Sequence, residues 1–536
     1  MNHATKRTQP DSSIVNRSSQ TGIEVGKQTM LLPIDTVSLP FRRRLGLYMT
    51  RPEVQQEPVL RPGGRDSNAP DNMCAQFYGT VLHEEGPFGG KYRMWYYAEH
   101  LGRNPDWAGR KAKLMAYHKE NWFMGPCCYA ESEDGVNWFK PNLGQLMFKG
   151  SRDNNAFDLP DPMTSTVNVI RDDDDPDPSR RYKMVYEVVP LRRDSTDTMV
   201  DNTHFHTAVS EDGIVWKNVR NPLSQDCYLE NASLYRHNGL YIVNGHTHTN
   251  HVHSEGGAVM GRQGYVFVSP DFDHWLYANA ESFKLPEPAD PVQRGPDGRY
   301  DQVHLGVGAA SFGNVCIGIY GLWHNAPYQV YFGEISCDLG LVVSNDGIHF
   351  REPVKGHVWI DRSESPHTPV PGHDYHTCLC QGNGILNVDD KTLIYHGRWL
   401  NAEDANGVIE AHYSAEIALA TLDRDRWGAL RIDPDHTDGE VWSTPVRLPD
   451  KGCDVVINAD GAAGINIEIA DERFSLLEGF SAENAAQPAG SGGLDCKVHW
   501  PKNNLAELGG QTVRLRINMA RQGTIDPHLY AVYLRT

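Results

Sequence analysis

The chain has 536 residues, 39% of them hydrophobic and 22% charged, with 50 glycines and 33 prolines, a composition that excludes a disordered or fibrous protein and points to a turn-rich fold. A formal net charge of −19, with no Lys/Arg-rich run, excludes nucleic acid and anionic membrane surfaces as partners. No segment approaches the roughly 20 apolar residues of a membrane span.

Residues 1–22 are polar without an apolar period and are expected to form a disordered leader. The start, Met1 to Pro10, lacks the apolar segment of a signal peptide, so a cytoplasmic location is expected. Ten cysteines, none with zinc-ribbon spacing, are expected to be reduced core residues.

From residue 23 onward a phrase recurs: Glu131-Ser-Glu-Asp-Gly-Val-Asn-Trp138, Val209-Ser-Glu-Asp-Gly-Ile-Val-Trp216, Val268-Ser-Pro-Asp-Phe-Asp-His-Trp275 and Val343-Ser-Asn-Asp-Gly-Ile-His-Phe350. A weaker fifth copy is Ala420-Thr-Leu-Asp-Arg-Asp-Arg-Trp427. Each is a hairpin in which an apolar strand ends at Ser or Thr, Asp-Gly supplies a turn with positive φ, and an aromatic opens the return strand.

Two further strand-like segments precede each copy. The second strands are rich in aromatic and β-branched residues, as in Tyr92–Tyr97, Tyr182–Tyr186, Leu240–Val243, Val315–Tyr320 and Thr392–Tyr395. First strands are predicted near Phe77–His83, Thr166–Ile170, Ala232–Tyr235, Gly306–Ser311 and Gly384–Val388. Four strands repeated five times predict an all-β fold, a five-bladed β-propeller over 23–436. The run Asp172–Asp177 falls in a first-to-second connection and is expected to be a solvated turn.

The second-to-third connections are long, about 100–126, 190–203, 246–262, 324–338 and 400–412, and long loops gathered at one end of a scaffold predict a binding face there. After 437 the alternation changes, with segments such as Val455–Asn458, Ile465–Ile469 and Val513–Asn518. Residues 437–536 are therefore predicted to be a β-sandwich accessory domain.

Five blades with a Ser-x-Asp-Gly hairpin resemble the propeller glycoside hydrolases of families 32, 43 and 68, and in particular a family-32-like branch. The resemblance covers about 40–536, since those relatives also carry a C-terminal sandwich. It implies three acids near the starts of the inner strands of the first three blades, acting as nucleophile or base, transition-state stabiliser and general acid. Glu230-Asn-Ala-Ser-Leu-Tyr235 is similar to the Glu-Cys-Pro-Asp-Leu-Phe acid segment, and Asp161-Pro162 to the Arg-Asp-Pro motif, with Pro160 in the arginine's place. The Asn-Asp-Pro-Asn-Gly motif would fall near Gln76–Gly79, where this chain has Gln-Phe-Tyr-Gly, and the nearest acid is Asp71.

Glu230, Asp161 and Asp71 are thus the catalytic candidates, each with the alternative of a solvated loop acid. Asp301 with His304, and Asp374 with His376, stand at the matching positions of blades four and five, where such pairs hydrogen-bond sugar hydroxyls or merely close a loop. His246, His248, His251 and His253, with His204 and His206 nearby, are of the type that binds sugar or a divalent metal, or form a plain polar loop. Trp107, Trp323 and Trp399 are predicted in loops as stacking residues, with blade packing as the alternative. Arg398 is a candidate for a substrate anion or a structural salt bridge.

The expected function is a glycosidase that cleaves a terminal glycosidic bond of a small carbohydrate by paired-carboxylate chemistry. It needs no cofactor, with a divalent metal left open, and is compatible with a homo-oligomer. The alternatives are a propeller phosphorylase or lyase, or a non-enzymatic sugar-binding propeller.

Overall fold

The recurring hairpin phrase folds the same way in its four full copies, while the fifth, Ala420–Trp427, leads into Gly428–Ile432, which pairs outside its own set. In the computed structural model, which describes residues 23–102, 122–160, 164–188, 204–220, 222–223, 229–246, 262–286, 301–324, 335–402 and 412–536, the hydroxyls of Ser132, Ser210, Ser269 and Ser344 accept the amide N–H of Gly135, Gly213, Phe272 and Gly347 at 2.9, 2.9, 2.9 and 3.0 Å. Each of these turn residues has positive φ, 76°, 74°, 68° and 74° in chain order. The aspartate takes the next two amides, as Asp134 does from Val136 and Asn137 at 2.8 and 2.7 Å. Against a desolvation that would raise it, these bonds hold the Asp134 carboxyl down at about 2.

Each hairpin closes a set of antiparallel strands. First strands are Cys74–His83, Thr164–Arg171, Glu230–His237 and Gln302–Ser311, and the fifth is broken into Thr377–Cys380 and Ile385–Val388. Second strands are Tyr92–Leu101, Tyr182–Val188, Leu240–His246, Cys316–His324 and Lys391–Leu400. Third strands are Trp122–Ser132, His204–Ser210, Gly264–Ser269, Ser336–Ser344 and Ser414–Asp423. The outermost place of the last set is filled from far upstream by Glu53–Val54, antiparallel to Ala420 and Thr421. Two sets are separate four-stranded sheets, and the others join into one 13-stranded sheet through single parallel pairs, Cys337 with Cys378 and Ala415 with Cys74.

The first strands are stitched to one another in sequence. Thr80 Oγ1 accepts the Val169 amide at 2.9 Å, the Asn168 side chain donates to the Ala232 carbonyl at 3.1 Å, and Ser233 Oγ donates to the Val307 carbonyl at 2.6 Å. The Gln381 side chain donates to the Gly306 carbonyl at 2.9 Å, and the Asn383 amide to the Gly79 carbonyl at 2.8 Å. The series therefore returns to the strand where it began. Neighbouring sets are also tied further out, where Trp95 Nε1 donates to the Gly213 carbonyl at 2.9 Å, Tyr235 to that of Gly347 at 2.6 Å and Tyr395 to that of Gly135 at 2.7 Å.

The remaining strands form a six-stranded and a seven-stranded sheet that share a core including Leu31, Ile457, Ile467, Leu515, Ile517 and Leu534. The central strand Thr512–Ala520 alternates buried and half-buried residues along its length, as a sheet with one covered face requires. These sheets differ from the sequence division at 437, since Gly428–Ile432 and the N-terminal strands Ile23–Glu24, Gln28–Leu31, Phe41–Arg43 and Leu45–Met49 all pair within them. Their edges need backbone partners, and the N-terminal segment supplies them across nearly 400 residues or more, a pairing that local pattern does not encode. The assembly rests on the fourth and fifth sets through Trp359 and Trp427, with Met30, Val456 and Tyr533 in the same cluster.

The acidic run is a solvated turn only in part, with Asp173, Asp174 and Asp177 exposed. Asp172 is 2% exposed and bound by Lys183 at 2.8 Å, by Arg236 and by the Tyr241 hydroxyl, while Asp175 takes Lys183 at 2.8 Å and Arg180 at 3.1 Å. Lys183 comes from the neighbouring strand, Arg236 from the next set and Arg180 from the connection itself, so Asp172 is an ionic joint between two sets. The described cysteines are all free, and all but Cys453 are buried. No helix among the described residues is long and apolar enough to cross a membrane.

Candidate active site

Antiparallel register places one residue pair at the same end of every set, where the first strand begins and the second ends. The pairs are Cys74 with Glu99, Ser165 with Glu187, Glu230 with His246, Gln302 with Trp323 and Cys378 with Trp399. Just inside this end each unbroken first strand slips register, between Gln76 and Thr80, Ser165 and Val167, Asn231 and Ser233, and His304 and Val307. Such bulges bend a strand and re-aim its side chains. Two put non-glycine residues in the left-handed region, Thr166 at φ 49° and Leu305 at 55°. The first is held there by a hydrogen bond from Thr166 Oγ1 to Asn231 Oδ1 at 2.9 Å, which also brings the start of the second set against that of the third.

Glu230 and His246 are the pair of the third set. Glu230 Oε2 lies 3.0 Å from His246 Nε2, with the histidine side chain fully buried and the carboxylate 27% exposed. Their strands approach so closely that a Cβ on the intervening Gly245 would fall 2.1 Å from the Glu230 carbonyl oxygen.

His304 feels the charge of the same pair. Burial first, and then the Arg262 charge, hold its imidazole well below the usual range although Glu230 opposes them, so it stays neutral. Its Nδ1 is 3.0 Å from the Tyr78 hydroxyl, and its ring lies 3.8 Å from Trp323 and 6.4 Å from Trp399, nearly parallel to the latter. The Arg262 guanidinium stacks 4.5 Å over Trp323, and its main-chain N–H donates to Gln302 Oε1 at 2.9 Å.

The other two carboxylates are more deeply set. Glu99, 1% exposed, accepts from Gln76 Nε2 at 3.3 Å and is hydrogen-bonded by the Cys74 thiol, whose pKa burial and this carboxylate push well up. Tyr97, 4% exposed and stacked on Tyr78 at 6.3 Å, feels both Glu99 and Glu230, and burial together with these charges keeps it a phenol. Glu187, also 1% exposed, takes a hydrogen bond from Ser165 Oγ.

Of the sequence candidates, Glu230, His246, His304, Trp323 and Trp399 come together here. The two tryptophans lie in strands rather than loops, because the second strands run on to residues 324 and 400 with paired neighbours on both sides. Asp71 does not join them. It is fully buried and bound to Lys140 Nζ at 2.5 Å and to the Tyr96 hydroxyl at 2.8 Å. Tyr96 and Tyr97 are successive strand residues and so face opposite sides of the sheet, which puts Asp71 on the far side.

Asp301 pairs not with His304 but with His324, Oδ1 to Nδ1 at 3.1 Å, while His324 Nε2 meets Asp338 at 2.6 Å. The two carboxylates raise His324 to about 9. Asp374 and His376 are both exposed, ahead of Thr377–Cys380. Arg398 is fully buried, donating to Ser365 Oγ at 2.8 Å and to the carbonyls of Gln56 and Gln55 at 2.7 and 2.6 Å, so it is structural. Asp161, Trp107 and His248 lie outside the described residues, as do His251 and His253. Among the described residues no group of three His, Cys, Asp or Glu side chains is arranged to hold a metal ion.

No family model matches the chain, and no curated protein does. Among solved structures it is similar to an N-acetylgalactosamine deacetylase from F. plautii in complex with blood group B trisaccharide, at 12% identity over 70% of this chain and 96% of that one, with a TM-score of 0.41. It is similar to a glycoside hydrolase of the GH130 family of mannoside phosphorylases that targets β-1,2 mannosidic linkages in Candida mannan, at 13% identity over 71% and 94%, with a TM-score of 0.39. It is also similar to a family 43 arabinoxylan arabinofuranohydrolase from Bacillus subtilis in complex with cellotetraose, at 9% identity over 89% and 99%, with a TM-score of 0.33. Likenesses at these identities and scores assign neither a family nor an activity.

Proposed function

We propose that the five sets of strands are the blades of a five-bladed β-propeller, that the two remaining sheets form a β-sandwich built from both ends of the chain, and that the protein is a glycoside hydrolase of small carbohydrates. The architecture is supported by the first strands, whose hydrogen bonds return to their start, and by Glu53–Val54 completing the last set. The activity is supported above all by one observation, the partly open Glu230 carboxylate held 3.0 Å from a buried His246 at an end that also carries Glu99, Glu187 and the rings of Tyr97, Trp323 and Trp399.

Glu230 is the group that gives its proton to the leaving glycosidic oxygen, and His246 fixes its orientation. As the carbon–oxygen bond breaks, a second carboxylate attacks the anomeric carbon or takes a proton from the water that does. That carboxylate comes from the second blade, whose first strand touches that of Glu230 through Thr166 and Asn231. Glu187 is the described candidate there, and Asp161 is the sequence candidate. A separation of about 5–5.5 Å would give retention, and one of about 6.5–9.5 Å inversion. Trp399 and Trp323 offer apolar ring faces to the sugar's C–H side.

The test is turnover of a panel of nitrophenyl glycosides and short oligosaccharides by the full-length chain. Glu230→Gln is expected to lose about a thousandfold in kcat while still binding sugar, the size of effect typical of a lost general acid. A variant that turns over like the wild type removes Glu230 from the chemistry.

A further inference from the structure

Sugars are mostly neutral, yet a guanidinium stands at this end of the strands. Arg262 is half-buried, stacked 4.5 Å over the indole of Trp323, with its backbone fixed by Gln302. In a chain with 69 acidic residues it has no carboxylate partner among the described residues, whereas buried Arg93 is bound by Glu84, the Tyr129 hydroxyl and the Asp212 carbonyl. Stacking covers one face of the guanidinium plane and leaves its N–H edge available, the edge that matches an oxyanion in a two-pronged fit. The Trp323 indole carries Arg262 at 4.5 Å and the His304 ring at 3.8 Å, and a Cβ on Gly306, two residues after His304, would fall 2.6 Å from the carbonyl oxygen of Gly245, which precedes His246, so Arg262 and the Glu230–His246 pair belong to adjoining strands of one site.

We infer that Arg262, stacked on Trp323, is an oxyanion subsite beside Glu230, so that the sugar processed there carries, or reacts with, a carboxylate, sulfate or phosphate group. This rests on Glu230 and His246 being the reacting centre.

Binding of inorganic phosphate, inorganic sulfate and D-glucuronate to the full-length chain, with D-glucose as the neutral control, tests it by calorimetry and tryptophan fluorescence. At least one anion is expected to bind, and Arg262→Gln to weaken it about ten- to a hundredfold without changing the glucose response. Arg262→Lys, which keeps the charge but not the fork, is expected to fall between. Melting temperatures near wild type in the two variants separate this from misfolding. If phosphate speeds consumption of a neutral oligosaccharide, the oxyanion is a free co-substrate; if it competes with an acidic glycoside, the oxyanion is a substituent of the sugar. Failure of all three anions to bind, or equal binding by wild type and both variants, overturns the subsite. Anion binding lost in Arg262→Gln but kept in Glu230→Gln, in a chain that cleaves no glycoside, leaves the subsite standing and removes the hydrolase proposal.

Discussion

The two ends of each strand set are built in opposite ways. At the hairpin end four copies repeat the same serine, the same aspartate and the same positive φ, with hydroxyl-to-amide distances of 2.9 to 3.0 Å. At the other end no two of the corresponding pairs are the same, running from Cys74 and Glu99 to Ser165 and Glu187, Glu230 and His246, Gln302 and Trp323, and Cys378 and Trp399. A position that only has to fold settles on one solution. The site-end positions differ from set to set, with acids gathered in the first three and indoles in the last two, as the proposed ligand contacts would require.

The sharpest way to break this contrast is to exchange a candidate acid for its amide. Glu187→Gln or Asp161→Asn is expected to lower kcat about a thousandfold, roughly 4 kcal/mol of barrier. Little change in melting temperature is expected for Glu187→Gln, because the amide oxygen of the new side chain still accepts from Ser165. If both variants stay within tenfold of wild type, the second carboxylate does not come from this set. The converse holds at the hairpin end. Gly213→Ala is expected to cost about 3 kcal/mol of stability in denaturant unfolding with kcat of the folded fraction intact. Its φ of 74° disfavours any side chain, and a Cβ would sit 2.7 Å from Arg93 Nη2 and 3.0 Å from Trp95. Arg93 cannot swing away, since Tyr129, Glu84 and the Asp212 carbonyl hold its guanidinium.

The same contrast explains what was legible in the sequence. The hairpins were, because Ser-x-Asp-Gly and the aromatic after it are local chemistry that repeats. The start of the third set was too, since Glu230 opens its strand. Glu99 and Glu187 were not, because the aromatic and β-branched pattern ends at Tyr97 and Tyr186, and the strands extend past it through pairing with their neighbours, Glu99 opposite Met124 and Glu187 opposite Phe205. Arg262 was hidden for a similar reason, as nothing near it in sequence announces Trp323. Asp71 misled by proximity alone, for a residue shortly before a strand can turn to either face. The N-terminal strands carry no mark of their distant partners either.

His324 tests whether every titratable group at the site end serves the chemistry. Its folded pKa of about 9 lies above the ordinary 6.5, through hydrogen bonds to Asp301 and then Asp338. A raised pKa means that the protonated form stabilises the fold fully below pH 6.5 and ceases to as pH rises through 9. The expected loss across that window is on the order of 2 kcal/mol once the exposure of Asp301 is allowed for. Thermal melts from about pH 6 to about pH 10, which bracket both values, should show the decline in wild type and a flatter profile in His324→Gln. A matching change in kcat would move His324 from the scaffold into the reaction.

The smallest expected effect belongs to the hairpin hydroxyl. Ser210→Ala removes the acceptor of the Gly213 amide at 2.9 Å and a donor to Asp212 Oδ1 at 2.9 Å. Asp212 keeps its bonds from Ile214 and Val215 at 2.8 and 2.9 Å but its own amide also loses Ser210 Oγ, so the turn retains two of its five side-chain hydrogen bonds. The Gly213 amide is left buried without its partner, a loss of about 1 kcal/mol in denaturant unfolding, with no change in substrate affinity. Because the same bond recurs at Ser132, Ser269 and Ser344, alanine at each should cost a similar amount. Costs that instead differ severalfold among the four would mean that the hairpins, alike in geometry, are not alike in the load they carry.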